Sequence, residues 1–166
     1  MARAENDADD PHAIARFAAL IPSAGALLGL DPGTKTIGVA LSDRQRMIAT
    51  PFHVVERGKF AADAAALLKF ASDNSVCGIV VGLPRNMDGS EGPRAQSVRA
   101  FVRNLERLTD LPIGFWDERL STAAAERAMI EADMSRSRRK ARIDAAAAAY
   151  ILQGALDYLA RERFAR

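Results

Sequence analysis

Three places in the chain carry carboxylates where chemistry could use them. Asp31 closes the apolar run LLGLD and is followed at once by Pro32-Gly33 and then Lys35. Asp117 and Glu118 close a second apolar run, LPIGFWDE, and Asp144 follows the basic stretch RSRRKAR at 136–142. Acids gathered from such strand ends repel one another, so a cluster of them ordinarily requires a cation. All-oxygen ligands favour a hard ion, Mg²⁺ or Mn²⁺, over zinc. Two such ions about 3.5–4 Å apart could activate a water and stabilise the leaving oxygen of a phosphodiester. A plainer account stands beside this one: strand ends and helix starts often carry acids, and Asp144 near a helix N-terminus gains from the dipole. Adjacent strand residues point to opposite faces, so only one of Asp117 and Glu118 should join a cluster. The pattern leaves open which.

The bases offer a matching chemistry. Gly33 and Thr34 can donate to phosphate with Lys35 as a point charge, or DPGTK can be an ordinary hairpin, for which Pro-Gly is good turn chemistry. GLPRNMDGSEGPRAQS reads as strand, loop and helix start, with Arg85 and Arg94 flanking glycines. Helix N-termini attract phosphate, yet surface loops share this composition, and the GxxxxGK[ST] pattern is missing. The run RSRRKAR holds five bases and no acid, among them Arg139, Lys140 and Arg142. It could be a solvated loop or a backbone-holding patch, giving salt-sensitive affinity without base-specific information. His12 and His53 stand apart from any acid or cysteine motif. Cys77 is the only cysteine, which excludes both an intrachain disulfide and a CxxC zinc site and suits a reducing cytoplasm.

These residues need elements to position them. Residues 1–24, acidic at first, read as a mobile N-terminal extension with a short helix before Pro22; residues 25–166 read as a single domain. ALLGLD, TIGVALSD and MIATPFHVVER are strand-like, the third with Pro51 as an edge or bulge mark. Residues 60–72 are apolar at helical spacing, CGIVVGLP is a buried central strand, and a helix from Pro93 runs to about Leu108. LPIGFWDE is the fifth strand. A helix capped by Ser121 or Thr122 runs to about Ala132, and a last one from about Arg142 to Arg163. A meander followed by βαβ crossovers makes a five-stranded mixed α/β sheet flanked by helices. Strands one and five can then end on the same edge, where ligands of open α/β sheets bind. Hydrophobic residues form 49% of the 166 and charged ones 27%, with net charge +2, so any nucleic-acid affinity must come from local patches. No apolar run approaches the roughly 20 residues that cross a bilayer.

Four blocks in order, GLDPGTKTIGVALSD, VVGLPRNMDGSEGPRAQSVRAF, WDERLST and RRKARIDAAAAAYILQ, closely resemble the YqgF family, also called RuvX. Its members carry the name Holliday junction resolvase and are regarded as pre-16S rRNA nucleases. The likeness spans about residues 26–160. It implies an RNase H-like fold: a three-stranded antiparallel meander plus parallel strands, with surrounding helices. It implies a cytoplasmic hydrolase, a Mg²⁺- or Mn²⁺-dependent nuclease that processes the 5′ end of pre-16S ribosomal RNA in ribosome biogenesis. Matched by position, the family's acids fall on Asp31, Glu118 and Asp144, as catalytic residues and metal ligands. Gly33, Thr34, Lys35, Arg94, Arg119, Arg139, Lys140 and Arg142 become candidates to hold the substrate. Precursor ribosomal RNA is the implied partner, with a monomeric or weakly dimeric protein. Rival readings are a resolvase acting on four-way DNA and a non-catalytic RNA-binding or transcription-associated module. An ATPase with the same hairpin would need a second domain that 166 residues do not provide.

Overall fold

In a computed structural model, residues 9–120 and 136–165 are described, the side chains of 136–142 excepted. The chain runs α1 (Ile14–Leu20), β1 (Ala26–Pro32), β2 (Thr36–Ser42), β3 (Ala49–Glu56), α2 (Phe60–Asp73) and β4 (Val76–Leu83). It continues with α3 (Pro93–Glu106), β5 (Ile113–Asp117), a 3₁₀ turn (Glu118–Leu120) and α4 (Arg136–Phe164). The five strands form one sheet in the order β3-β2-β1-β4-β5. β1, β2 and β3 pair antiparallel, whereas β4 lies parallel to both β1 and β5. The expected meander with parallel crossovers is therefore present. The helix read at 121–132 lies outside the described residues.

Alternation in the strands sorts the sheet into two faces. Leu28, Leu30, Ile37, Val39, Ile79, Val81 and Phe115 meet α2 and α3 through residues such as Leu67, Val98 and Leu105. Leu27, Ala40, Val80 and Trp116 meet α4 through Ala148, Ile151, Leu152, Ala155 and Leu156. The alanines of α4 are a close-packing face, since Ala147, Ala148 and Ala155 are fully buried. Three glycines deepen the approach. A Cβ on Gly29 would press on Leu152, one on Gly82 on Ile151, and one on Gly38 would overlap the backbone carbonyl of Asp144. Pro51 marks a bulge as anticipated: the β2–β3 register slips between Val39 and Ala40, whose partners are His53 and Pro51.

One expectation about the last helix is corrected. The basic run 136–142 is not a loop before the last helix, because α4 already begins at Arg136. A short run of bases suggested a solvated loop, but Arg, Lys and Ala are strong helix formers. The N-terminal segment, where described, is docked. Phe17 of α1 is 1% exposed and fills a recess over Gly78 and Gly114. Phe115 N–H, on the outer edge of β5, donates to His12 O at 2.8 Å, so this segment covers a strand edge. His12, read as isolated from acids, has its Nε2 2.8 Å from Glu106 Oε2.

Candidate active site

Asp31 is the next-to-last residue of β1 and is only 7% exposed. It shares the α4 face with Leu27 and Gly29, four and two positions earlier. Its cross-strand partner on β2 is Gly38, the residue that gives α4 its closest approach. The backbone of Asp144 lies over that glycine, and Thr36, two residues along β2 on the same face, donates its Oγ1 hydrogen to Asp144 Oδ2 at 2.6 Å. Asp144 is thus seated twice, by missing bulk under its main chain and by a hydroxyl at its carboxylate. It lies eight residues inside α4 rather than in a first turn, so the helix dipole does not explain it.

Asp117 and Glu118 face different ways. Trp116 packs on the α4 side, and Glu118 follows it by two residues, with Oε1 close over Gly82. Asp117 instead lines a cavity with Leu83, Arg85 and Phe115, and Arg119 Nη2 holds it at 2.6 Å. Burial works to raise the Asp117 carboxyl, but the hydrogen bonds and charge of Arg119 outweigh it and leave it lowered. Arg119, a candidate for holding substrate, is therefore engaged by a neighbouring acid.

The turn after Asp31 is tighter than Pro-Gly suggested. Pro32 still pairs with Ile37 in the ladder, and Gly33 N–H donates to Thr36 O at 2.8 Å. Only Thr34 and Lys35 remain at the tip, both exposed. Arg57 clasps this tip: its N–H donates to Lys35 O at 2.9 Å and its Nη1 to Gly33 O at 2.6 Å. Arg94 comes to the same turn from the start of α3, lining a cleft with Gly33, Thr34 and Arg57. The side chains of Arg139, Lys140 and Arg142 lie outside the described residues. Thr36, Gly38 and Arg57 escaped the reading of the sequence. A two-residue tip at Thr34-Lys35 would have fixed the register Asp31 to Gly38, and with it the shared face of Thr36.

The donor chemistry suits a hard divalent cation, because Asp31, Glu118 and Asp144 offer carboxylate oxygens alone on one face near one sheet edge. Among the described residues, no three His, Cys, Asp or Glu side chains are gathered as a ready-made cation site. The fit is one of donor type and facing.

A family model described as RuvX, Holliday junction resolvase, matches residues 25–158. A protein of Paracoccus denitrificans, provisionally named a pre-16S rRNA nuclease, is 67% identical over 143 residues, covering 86% of this chain and 90% of its own. One from Rhodobacter capsulatus with the same name is 65% identical over 144 residues, covering 87% and 91%. The structure of Thermus thermophilus RuvC superposes with a TM-score of 0.51 at 15% identity, over 83% of this chain and 96% of that one. That likeness identifies the arrangement as the RNase H-like fold. With four-fifths of its length inside the family model and relatives 67% and 65% identical over 86% and 87% of it, the chain belongs to the RuvX family.

Proposed function

We propose that this chain is a nuclease that hydrolyses phosphodiester bonds at the 5′ end of pre-16S ribosomal RNA, using a divalent cation held by Asp31, Glu118 and Asp144. One observation supports the reading: Asp31 on β1 pairs across the ladder with Gly38, the Asp144 backbone of α4 lies over that same glycine, and Glu118 after β5 lies on the same face. The names of the near relatives supply the substrate. The chemistry a Mg²⁺ or Mn²⁺ ion supplies in such a site is Lewis-acid polarisation of the phosphodiester and activation of water. The protein's part is placement. Burial of Asp31 keeps its carboxylate in a setting where charge is weakly screened, and Thr36 fixes the rotamer of Asp144. Lys35 and Arg94 hold the nucleic-acid backbone, joined by Arg139, Lys140 and Arg142 of α4. Such a protein works in the cytoplasm, as a monomer or weak dimer; no helix among the described residues is long and apolar enough to cross a membrane.

The family description favours a second substrate, four-way DNA. Precursor rRNA and junction DNA should be offered side by side with Mg²⁺, with Mn²⁺ and with a chelator. The expected result is metal-dependent cleavage of the RNA, lost in Asp31→Asn, Glu118→Gln and Asp144→Asn. Junction cleavage alone would transfer the assignment to DNA, and RNA binding without cleavage of either substrate would make the chain a binding module.

A further inference from the structure

Around the end of β1, on the side away from Asp31, lies a small cleft of about 40 Å³ lined by Gly33, Thr34, Arg57, Arg94 and Ser97 among others. Its arginines are held in different ways. Arg57 is pinned by its two bonds to the turn, and its guanidinium lies 5.5 Å from the Phe101 ring centroid on α3. Arg94 and Ser97 stand three residues apart in α3, which puts both on one side of that helix.

The charge balance here differs from that around Arg99 and Arg119. Arg99 is bound by Asp10 and Glu91, and Arg119 by Asp117. Among the described residues, no acid lines this cleft, and Lys35, Arg57 and Arg94 form no ion pair. Two guanidinium groups and two hydroxyls therefore converge with no counter-ion among the described residues. Arginine forks match phosphate oxygens, and the volume admits a few polar atoms but no base.

We propose that this cleft is a phosphate subsite, with Arg57 and Ser97 as binding residues that complete the set begun by Thr34 and Arg94. Its ligand is a backbone phosphate next to the one at Asp31, Glu118 and Asp144, and in naming that ligand the proposal rests on the nuclease reading. Placement supports it. Asp31 faces α4 and Pro32 faces α3, so acids and cleft flank the tip of one strand. A nucleic-acid strand crossing that tip meets both. With no room for a base, the contact carries affinity and register without sequence preference.

The test uses the full chain with Arg57→Ala, Arg94→Ala, the double variant and Arg57→Lys, and a single-stranded RNA oligonucleotide as probe. Each alanine variant should lower the slope of log affinity against log salt by about 0.7, the double by about twice that. KM should rise by about tenfold per site, more than kcat falls. Arg57→Lys keeps the charge and should keep most of the slope. Stabilisation by Mn²⁺ alone, read as a Tm shift, should be unchanged, since the acids are intact. An unchanged salt slope and KM in the double variant would overturn the subsite. So would a fall in kcat and Tm with KM intact, which would make Arg57 a clasp for the turn only. If the chain binds RNA with the expected slopes yet cleaves neither RNA nor DNA, the nuclease reading fails and the subsite stands. If cleavage depends on Asp31 but the double variant binds normally, only the subsite fails.

Discussion

At the scale of single residues, the site depends on what is missing from β2 as much as on its acids. Gly38 has no side chain where the Asp144 carbonyl lies. Gly38→Ala should therefore cost about 2–3 kcal/mol through forced repacking, measurable by urea unfolding, and it should reduce cleavage further by lifting Asp144 away from Asp31. Thr36 makes a subtler case. Outer-shell partners of metal-ligating groups are commonly worth about 10–100-fold in affinity or activity. Thr36→Val should weaken the Mn²⁺-induced Tm shift and slow cleavage by at least about tenfold, whereas Thr36→Ser, which keeps the hydroxyl, should restore both. An equal loss in both variants would point to packing rather than to the hydrogen bond to Asp144.

At the scale of elements, one arginine adds a charged tie to the N-terminal segment. Arg99 of α3 bonds both Asp10 and Glu91. Burial raises the Asp10 carboxyl, but Arg99 outweighs that and leaves it lowered; for Glu91 the Arg99 hydrogen bond leads and the direction is the same. Both acids thus bind protons less readily folded than unfolded. Their stabilisation is complete above the ordinary carboxylate range, about pH 4, and is lost as pH falls through the lowered values. Amide exchange around residues 12–21 should accelerate as pH falls below the ordinary carboxylate range, ahead of exchange in β1 and β4. The strands were legible in the sequence because their apolar runs are bounded by turn residues. The docking of α1 was not: it is seven residues long, lacks a side-chain cap and buries a single residue, Phe17. The facing of β5 was hidden too, because Ile113 through Trp116 are buried on both faces and show no polar alternation. Glu118 was preferred over Asp117 by family resemblance alone; that it follows Trp116 onto the α4 side was not legible in the sequence. The start of α4 was obscured by charge, since a run of bases suggests solvent whether or not it is helical.

At the scale of the whole molecule, α4 is both a wall of the core and the carrier of an acid. The residues that follow Asp144 along it, from Ala147 to Leu159, supply most of one hydrophobic layer. Asp31 belongs to the central strand of the sheet against which that layer packs. Neither acid can leave its place by the opening of a loop. The glycines under α4 remove the slack by which a helix might shift and still remain packed. A site assembled in this way has no melting of its own. Loss of cleavage on heating should coincide with cooperative unfolding, and inactivation measured alongside circular dichroism should trace one curve. Such a protein can be tuned for temperature only by altering the stability of its whole fold.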